Sequence, residues 1–265
     1  MNQMNQMNQM NQPAQPRTVH VEHCMGTAFS IDIRDEGTWT TAIDAVVAWL
    51  HHVDAVFSTY KSDSDISRID RGELLVSDAD REVAQVLDLC QQVEAETEGH
   101  FSARYAGRLD PTGLVKGWAI EAASDILRRN GSGNHSVNGG GDIQLAGEAA
   151  PGRPWRVGIS DPADRTRLLT VVTGRDLAVA TSGTSERGRH ILDPHTGEPV
   201  SSASSLASVT VVGGHLTRAD AYATAAFAMG AGALTWLERL PGHEGMVVDA
   251  AGMHETAGFR DVRQG

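Results

Sequence analysis

Cysteine is almost missing from this 265-residue chain: Cys24 and Cys90 are its only two. That number excludes a disulfide scaffold and a four-thiolate zinc site, and leaves open one bridge between the pair. Positive charge is also short, with 22 Lys and Arg against 34 Asp and Glu and a formal net charge of −12. A nucleic-acid binder needs a basic face for phosphates, so no nucleic-acid partner is expected. No run approaches the roughly 18 apolar residues of a membrane span, so none is expected. Neither a His-Glu-x-x-His pair nor a Walker-type Gly-x-x-x-x-Gly-Lys-Ser/Thr loop occurs. His51-His52 lies beside Asp54 but has no zinc-ligand spacing. A charged start followed by an apolar stretch is missing too, so the expected location is cytoplasmic, with export left open.

What is present is a globular composition. Apolar residues make up 40% of the chain, enough for a sizeable core. Aromatics are 5% and glycines number 28, so small-residue packing and loops should abound. Residues 1–12 repeat Met-Asn-Gln, and Pro13 and Pro16 follow. A polar, low-complexity tract cannot build a core, so residues 1–16 are expected to be a disordered tail and 17–265 one domain.

Val19 and Val21, then Phe29, Ile31 and Ile33, alternate with polar residues. This predicts two strands joined around Cys24-Met25-Gly26. Ile43, Val46, Val47, Leu50, Val53 and Phe57 predict a helix, as do Val83, Val86, Leu87, Cys90 and Val93, with Cys90 as a core residue. A third helix is expected from about 116 to 130, ended by Gly131. Strands are expected near 135–137, 142–146, 155–159, 168–173, 176–180 and 206–212. An Ala-rich helix near 217–229, a short helix around Leu234–Leu240 and strands near 245–249 and 252–258 complete the reading. The class is α+β, with mainly antiparallel sheets flanked by helices.

Four segments could carry chemistry. Asp220 and Thr224 stand four apart on a predicted helix and so point the same way. Their carboxylate and hydroxyl suit Mg²⁺, or else a helix-terminal carboxylate and a back-bonded Thr. Asp110-Pro111-Thr112-Gly113-Leu114-Val115-Lys116-Gly117 is a turn into a helix whose N–H groups and Lys116 could hold an anion, or a plain junction with a solvated Lys. His190 precedes the turn Asp193-Pro194-His195-Thr196-Gly197 and could take a proton, or only satisfy that turn. Asn138-Gly139-Gly140-Gly141-Asp142 marks a close backbone approach, read preferentially as a bulged hairpin.

Taken in order, these segments resemble the ApbE-type FAD:protein FMN transferases. The likeness runs through Met25-Gly26-Thr27, Phe57-Ser58-Thr59-Tyr60, Ser64–Arg68, Thr97–Phe101, Asp110–Ala119, Asn138–Asp142, Thr181-Ser182-Gly183, His190–Pro199 and Ala219–Thr224. It implies a single ApbE-like catalytic domain that transfers FMN from FAD to a Thr or Ser hydroxyl of an acceptor flavoprotein, releasing AMP. Carried over by position, Mg²⁺ would be held by Asp220, Thr224 and the carbonyl of Gly113, with the carbonyl of Ala223 near. Met25, Tyr60, His100, Phe101, Ser102, Asp110, Lys116 and Leu192 would line the FAD site. His190 would be the base, its ring oriented by Asp193 or a neighbour. The chain departs from the usual family pattern at Phe101-Ser102, where Phe-Asp is common. An FAD pyrophosphatase and a non-catalytic FAD binder are the alternatives.

Overall fold

The computed structural model describes residues 17–105, 107–183 and 206–263. The first two strands, β1 (Thr18–Cys24) and β2 (Thr27–Ile33), form an antiparallel hairpin in which Cys24 faces Thr27. The turn is Met25 at φ 49° and Gly26 at φ 71°. Two positive values mark the hairpin turn whose twist matches that of its strands. Glycine takes that conformation freely, whereas Met25 is held in it against its steric preference.

Helices α1 (Thr40–Phe57), α2 (Asp65–Asp70) and α3 (Arg81–Glu96) come next. The faces expected from the spacing are the buried ones: Ile43, Val46, Leu50, Val53 and Phe57 on α1, and Val83, Val86, Cys90 and Val93 on α3. Helix α2 was not expected, because six residues are too few to show a period. Its cap is nevertheless visible in the sequence, since the Ser64 hydroxyl accepts the Ser67 N–H at 3.1 Å. Two-residue strands β3 (Arg104–Tyr105) and β4 (Arg108–Leu109) lead into α4 (Thr112–Arg129). Helix α4 therefore begins before Lys116, its expected start. Gly131 lies just beyond its end at φ 97°, the left-handed stop anticipated there.

Strands β5 (His135–Gly139), β6 (Asp142–Ala146), β7 (Trp155–Ser160), β8 (Leu168–Gly174), β9 (Ala178–Gly183) and β10 (Leu206–Gly213) follow. After them come α5 (Leu216–Met229), α6 (Ala233–Leu237), β11 (Glu244–Asp249), β12 (Gly252–Glu255) and α7 (Phe259–Val262). The last strand ends at Glu255, short of the expected 258, and α7 closes the described chain. Between β5 and β6 the register is regular, with Gly139 opposite Asp142. The expected bulge is thus a plain hairpin turned by Gly140 and Gly141, at φ 62° and 99°.

Eight strands form one antiparallel sheet in the order β1-β2-β5-β6-β9-β10-β11-β12. Period-two alternation divides its side chains between two cores. Ala178, Ala180, Val209, Val211 and Val247 face the helices. Val179, Val212, Met246 and Val248 face the β7–β8 hairpin and Phe259 of α7. The architecture is the α+β arrangement expected. Both cysteines are free, and burial raises the Cys90 thiol to about 12. Among the described residues no helix is long and apolar enough to cross a membrane.

One polar knot ties α4 to the sheet. His135 is fully buried, with Nε2 at 2.7 Å from the Ser124 hydroxyl of α4 and Nδ1 at 2.9 Å from Ser132. The Ser132 hydroxyl donates to Asp35, which makes Nδ1 the donor and Nε2 the acceptor of the neutral ring. Desolvation lowers its pKa to about 4.

Candidate functional site

Helices α4 and α5 cross closely because α4 has no side chain at the crossing. A Cβ on Gly117 would lie 2.7 Å from both Asp220 Cβ and the Leu216 carbonyl oxygen. The Gly117 N–H donates to Asp220 Oδ2 at 2.9 Å. One turn earlier, a Cβ on Gly113 would lie 3.2 Å from the Phe101 ring and 3.7 Å from Thr224 Cγ2. The start of α5 is equally well held. Glu121 of α4 accepts the Thr217 N–H at 2.9 Å and its hydroxyl at 2.6 Å, and Gln144 of β6 accepts the Leu216 N–H at 3.0 Å. Donors that a helix start leaves without intrahelical partners are satisfied by side chains of neighbouring elements, so α5 is fixed in place.

Between these helices and the ends of β6 and β9 lies a polar cleft of about 210 Å³. Thr112, Gly113, Lys116, Thr181, Ser182, Asp220 and Thr224 line it. Thr224 Oγ1 lies 3.3 Å from Ser182 Oγ. Lys116 forms an ion pair with Asp142 and stands 3.7 Å from Asp220 Oδ1. Asp142 and Asp220 are 1% and 3% exposed, so two buried carboxylates face this ammonium.

A larger pocket of about 630 Å³ opens beside the cleft, in the range of small-molecule sites. Val53, Phe57 and Val115 give it an apolar wall; Met25, Asp54, Ser58, Tyr60 and Lys61 complete its outline. Gly26, Thr27, Thr112 and Lys116 line both spaces. Tyr60 is 95% exposed at this pocket. Its loop is pinned from behind by α2, since Ser64 and Ser67 donate their hydroxyls to the Ser58 carbonyl at 2.7 and 3.3 Å. The pair of spaces thus joins an apolar-walled pocket to a cleft lined by hydroxyls, one ammonium and one carboxylate.

The structure thus brings Gly113, Lys116, Asp220 and Thr224 together and sets Met25 and Tyr60 at the adjoining pocket. Ala223 is fully buried among core residues. Phe101 packs beneath Gly113, and the Ser102 hydroxyl accepts the Arg104 N–H at 3.1 Å. Asp110 accepts the Thr112 N–H and hydroxyl at 3.0 and 2.6 Å. Among the described residues lining the two spaces, His100, Phe101, Ser102, Asp110 and Ala223 do not figure. His190, Leu192 and Asp193 lie outside the described residues, as do residues 1–16. Sequence reasoning gave no role to Asp142, Thr27 or Ser182. The glycine run before Asp142 was the available signal, since it marks a place where something approaches the backbone.

A model of the ApbE family matches residues 25–108 and 102–247. The chain belongs to the ApbE family. The FAD:protein FMN transferase of Vibrio cholerae serotype O1 is 34% identical over 131 residues, covering 46% of this chain and 39% of that protein. This ApbE-family chain thus aligns with well under half the length of that relative. The FAD:protein FMN transferase of Haemophilus influenzae is 23% identical over 274 residues, covering 78% of this chain and 79% of the relative. Among solved structures, the ApbE protein of Thermotoga maritima superposes with a TM-score of 0.83 at 22% identity, over 94% of this chain and 100% of that one. The flavin transferase ApbE of Vibrio cholerae gives 0.80 at 22% identity, over 93% and 99%. These superpositions establish a shared fold.

Proposed function

We propose that this ApbE-family chain transfers FMN from FAD to a Thr or Ser hydroxyl of an acceptor flavoprotein, with AMP as the leaving group and Mg²⁺ as its ion. The observation that carries the reading is the junction of the two spaces: an apolar-walled pocket for a ring system runs into an oxygen-lined cleft, and Lys116 borders both. FAD has this composition, a flavin joined to a pyrophosphate.

The donor set fits a hard divalent cation. Asp220 offers a carboxylate, Thr224 a hydroxyl and Gly113 a backbone carbonyl, all oxygen. A Cβ on Gly113 would press on the Phe101 ring at 3.2 Å and meet Thr224 Cγ2 only in ordinary contact at 3.7 Å. Among the described residues, the buried carboxylates of Asp142 and Asp220 face one ammonium, that of Lys116. Mg²⁺ at these residues would neutralise phosphate oxygens and orient the pyrophosphate.

Lys116, ion-paired with Asp142 at the border of both spaces, would add an ammonium beside the phosphates. Met25, Phe57, Tyr60 and Val115 hold the flavin end, so that the FMN phosphorus presents itself in line with the acceptor. The acceptor oxygen attacks that phosphorus, the P–O bond to AMP breaks, and the hydroxyl proton passes to a base. His190 is the proposed base, with Asp193 or a neighbour orienting its ring. Replacing His190 by Ala is expected to slow transfer by about 10²–10⁴-fold with little change in FAD affinity. Equal loss of both would make His190 a binding residue.

The test combines protein, FAD, Mg²⁺ and a candidate acceptor, followed by denaturation. Flavin fluorescence on the acceptor band together with AMP release supports transfer. AMP and free FMN without label would mean a pyrophosphatase, and FAD retained intact would mean a binding protein.

A further inference from the structure

We propose that His52, Asp80 and Glu82 form a Zn²⁺ site that clips helix α1 to the start of α3. It is separate from the cleft and the pocket, neither of which these three residues line. The ligands come from two helices, so no spacing along the chain reveals them.

His52 Nε2 lies 3.5 Å from Asp80 Oδ2 and 3.6 Å from Glu82 Oε2. Those separations are too long for good hydrogen bonds. They are close to the edge of a tetrahedron around zinc, about 3.4 Å for metal–ligand bonds of about 2.1 Å. The three ligand atoms all lie within 4.8 Å of one another, a span that one ion bridges. One imidazole nitrogen and two carboxylate oxygens suit zinc, whereas magnesium prefers oxygen alone. Two carboxylates and a neutral imidazole also balance the ion's two charges, which a half-buried site requires.

Each ligand is oriented by a contact outside the trio, as outer partners do at metal centres. The His52 ring lies against Trp49, centroids 5.9 Å apart, and Trp49 donates its indole N–H to the Ala119 carbonyl of α4 at 3.0 Å. The Asp80 N–H donates to Asp65 Oδ2 of α2 at 2.7 Å, and Asp80 Oδ1 accepts the Glu82 N–H at 3.1 Å. Glu82 Oε1 accepts from Arg81 Nε at 3.0 Å. The oxygens nearest His52 are the other ones, Oδ2 and Oε2.

Helix capping explains Asp80 alone. It does not explain why a second carboxylate, only 9% exposed, is set beside the first. Like charges so placed repel, and an acid so buried needs a cation. Arg81 compensates poorly, because its side chain is 91% exposed. A zinc ion would meet both demands. It would also fasten to α3 the helix that supplies Val53 and Phe57 to the pocket wall.

The test strips the full chain of metal and titrates it with Zn²⁺ against a chromophoric chelator, in saturating Mg²⁺ to fill the all-oxygen cleft. Wild type is expected to take up one tight equivalent. His52→Ala, which leaves the α3 cap intact, and Glu82→Gln should each weaken that binding by at least about tenfold. Asp220→Asn should bind zinc as wild type does. Crystals soaked in Zn²⁺ should show an anomalous peak about 2.0–2.2 Å from His52 Nε2, Asp80 Oδ2 and Glu82 Oε2. No tight equivalent, equal affinity in wild type and His52→Ala, or a peak on other histidines would each overturn the proposal. Loss in Asp220→Asn with none in His52→Ala would put the zinc in the cleft and overturn it as well. If Glu82→Gln does not fold, His52→Ala decides.

Discussion

The floor of the cleft and the rim of the neighbouring pocket are built in opposite ways. On the floor, Asp220 is held by a backbone N–H of another helix, α5 is secured at its start by Glu121 and Gln144, and Gly117 lets two helices touch. On the rim, Tyr60 stands almost wholly in solvent and Met25 occupies a left-handed turn position. On the proposed function, the floor would fix atoms whose placement sets the rate of group transfer, where small displacements are costly. The rim would meet a ring system whose contacts are broad and forgiving. Changes to the floor should therefore alter chemistry, and changes to the rim should alter binding.

The largest effect is expected from Asp220→Ala, which removes the only carboxylate in the proposed Mg²⁺ ligand set. Mg²⁺-dependent turnover should fall by roughly 10²–10³-fold or more, read as AMP release at saturating FAD. Full activity would remove the floor from the account. Gly117→Ala comes next. Its Cβ would meet Asp220 Cβ and the Leu216 carbonyl at 2.7 Å, so the helices must separate, at a cost of about 1–3 kcal/mol. Urea unfolding should show that loss, and turnover should fall while FAD affinity holds. A variant as stable and as active as wild type would mean that the crossing tolerates slack.

The His135 knot behind the floor gives a pH dependence. The folded pKa, about 4, lies below the ordinary histidine value of 6.5. The unfolded chain therefore takes up this proton first as pH falls. Stability from this group is complete above about pH 6.5 and is lost progressively down to about pH 4. The shift corresponds to a loss on the order of 3 kcal/mol. Urea titrations across that interval should show the decline, and His135→Gln should flatten it; an unchanged slope in the variant would assign the acid sensitivity to other groups. The smallest structural effect is expected at the rim. Tyr60→Ala should change stability by less than about 0.5 kcal/mol and raise the KM for FAD several-fold with kcat nearly constant. A fall in kcat alone would place Tyr60 with the floor.

How much of this was legible in the sequence depended on how local each feature is. Long helices announced themselves by period, and Asp220 with Thr224 could be paired because they stand four positions apart on α5. Helix α2 escaped because it is too short to repeat, although its Ser64 cap stood in plain view. Asp142 escaped for a different reason. Its meeting with Lys116 depends on the packing of β6 against α4, and with Thr181 on the pairing of β6 with β9. No spacing along the chain encodes either. The glycines around Asp142 showed that something comes close, and the register showed a plain hairpin where a bulge was expected.

A crystal of the protein with FAD and Mn²⁺, examined for anomalous scattering, tests the central claim most directly. The account predicts one strong manganese peak bound by the Asp220 carboxylate and the Thr224 hydroxyl, with the flavin in the adjoining pocket beside Met25 and Tyr60. Manganese bound elsewhere, or FAD seated with those two side chains uninvolved, would contradict it.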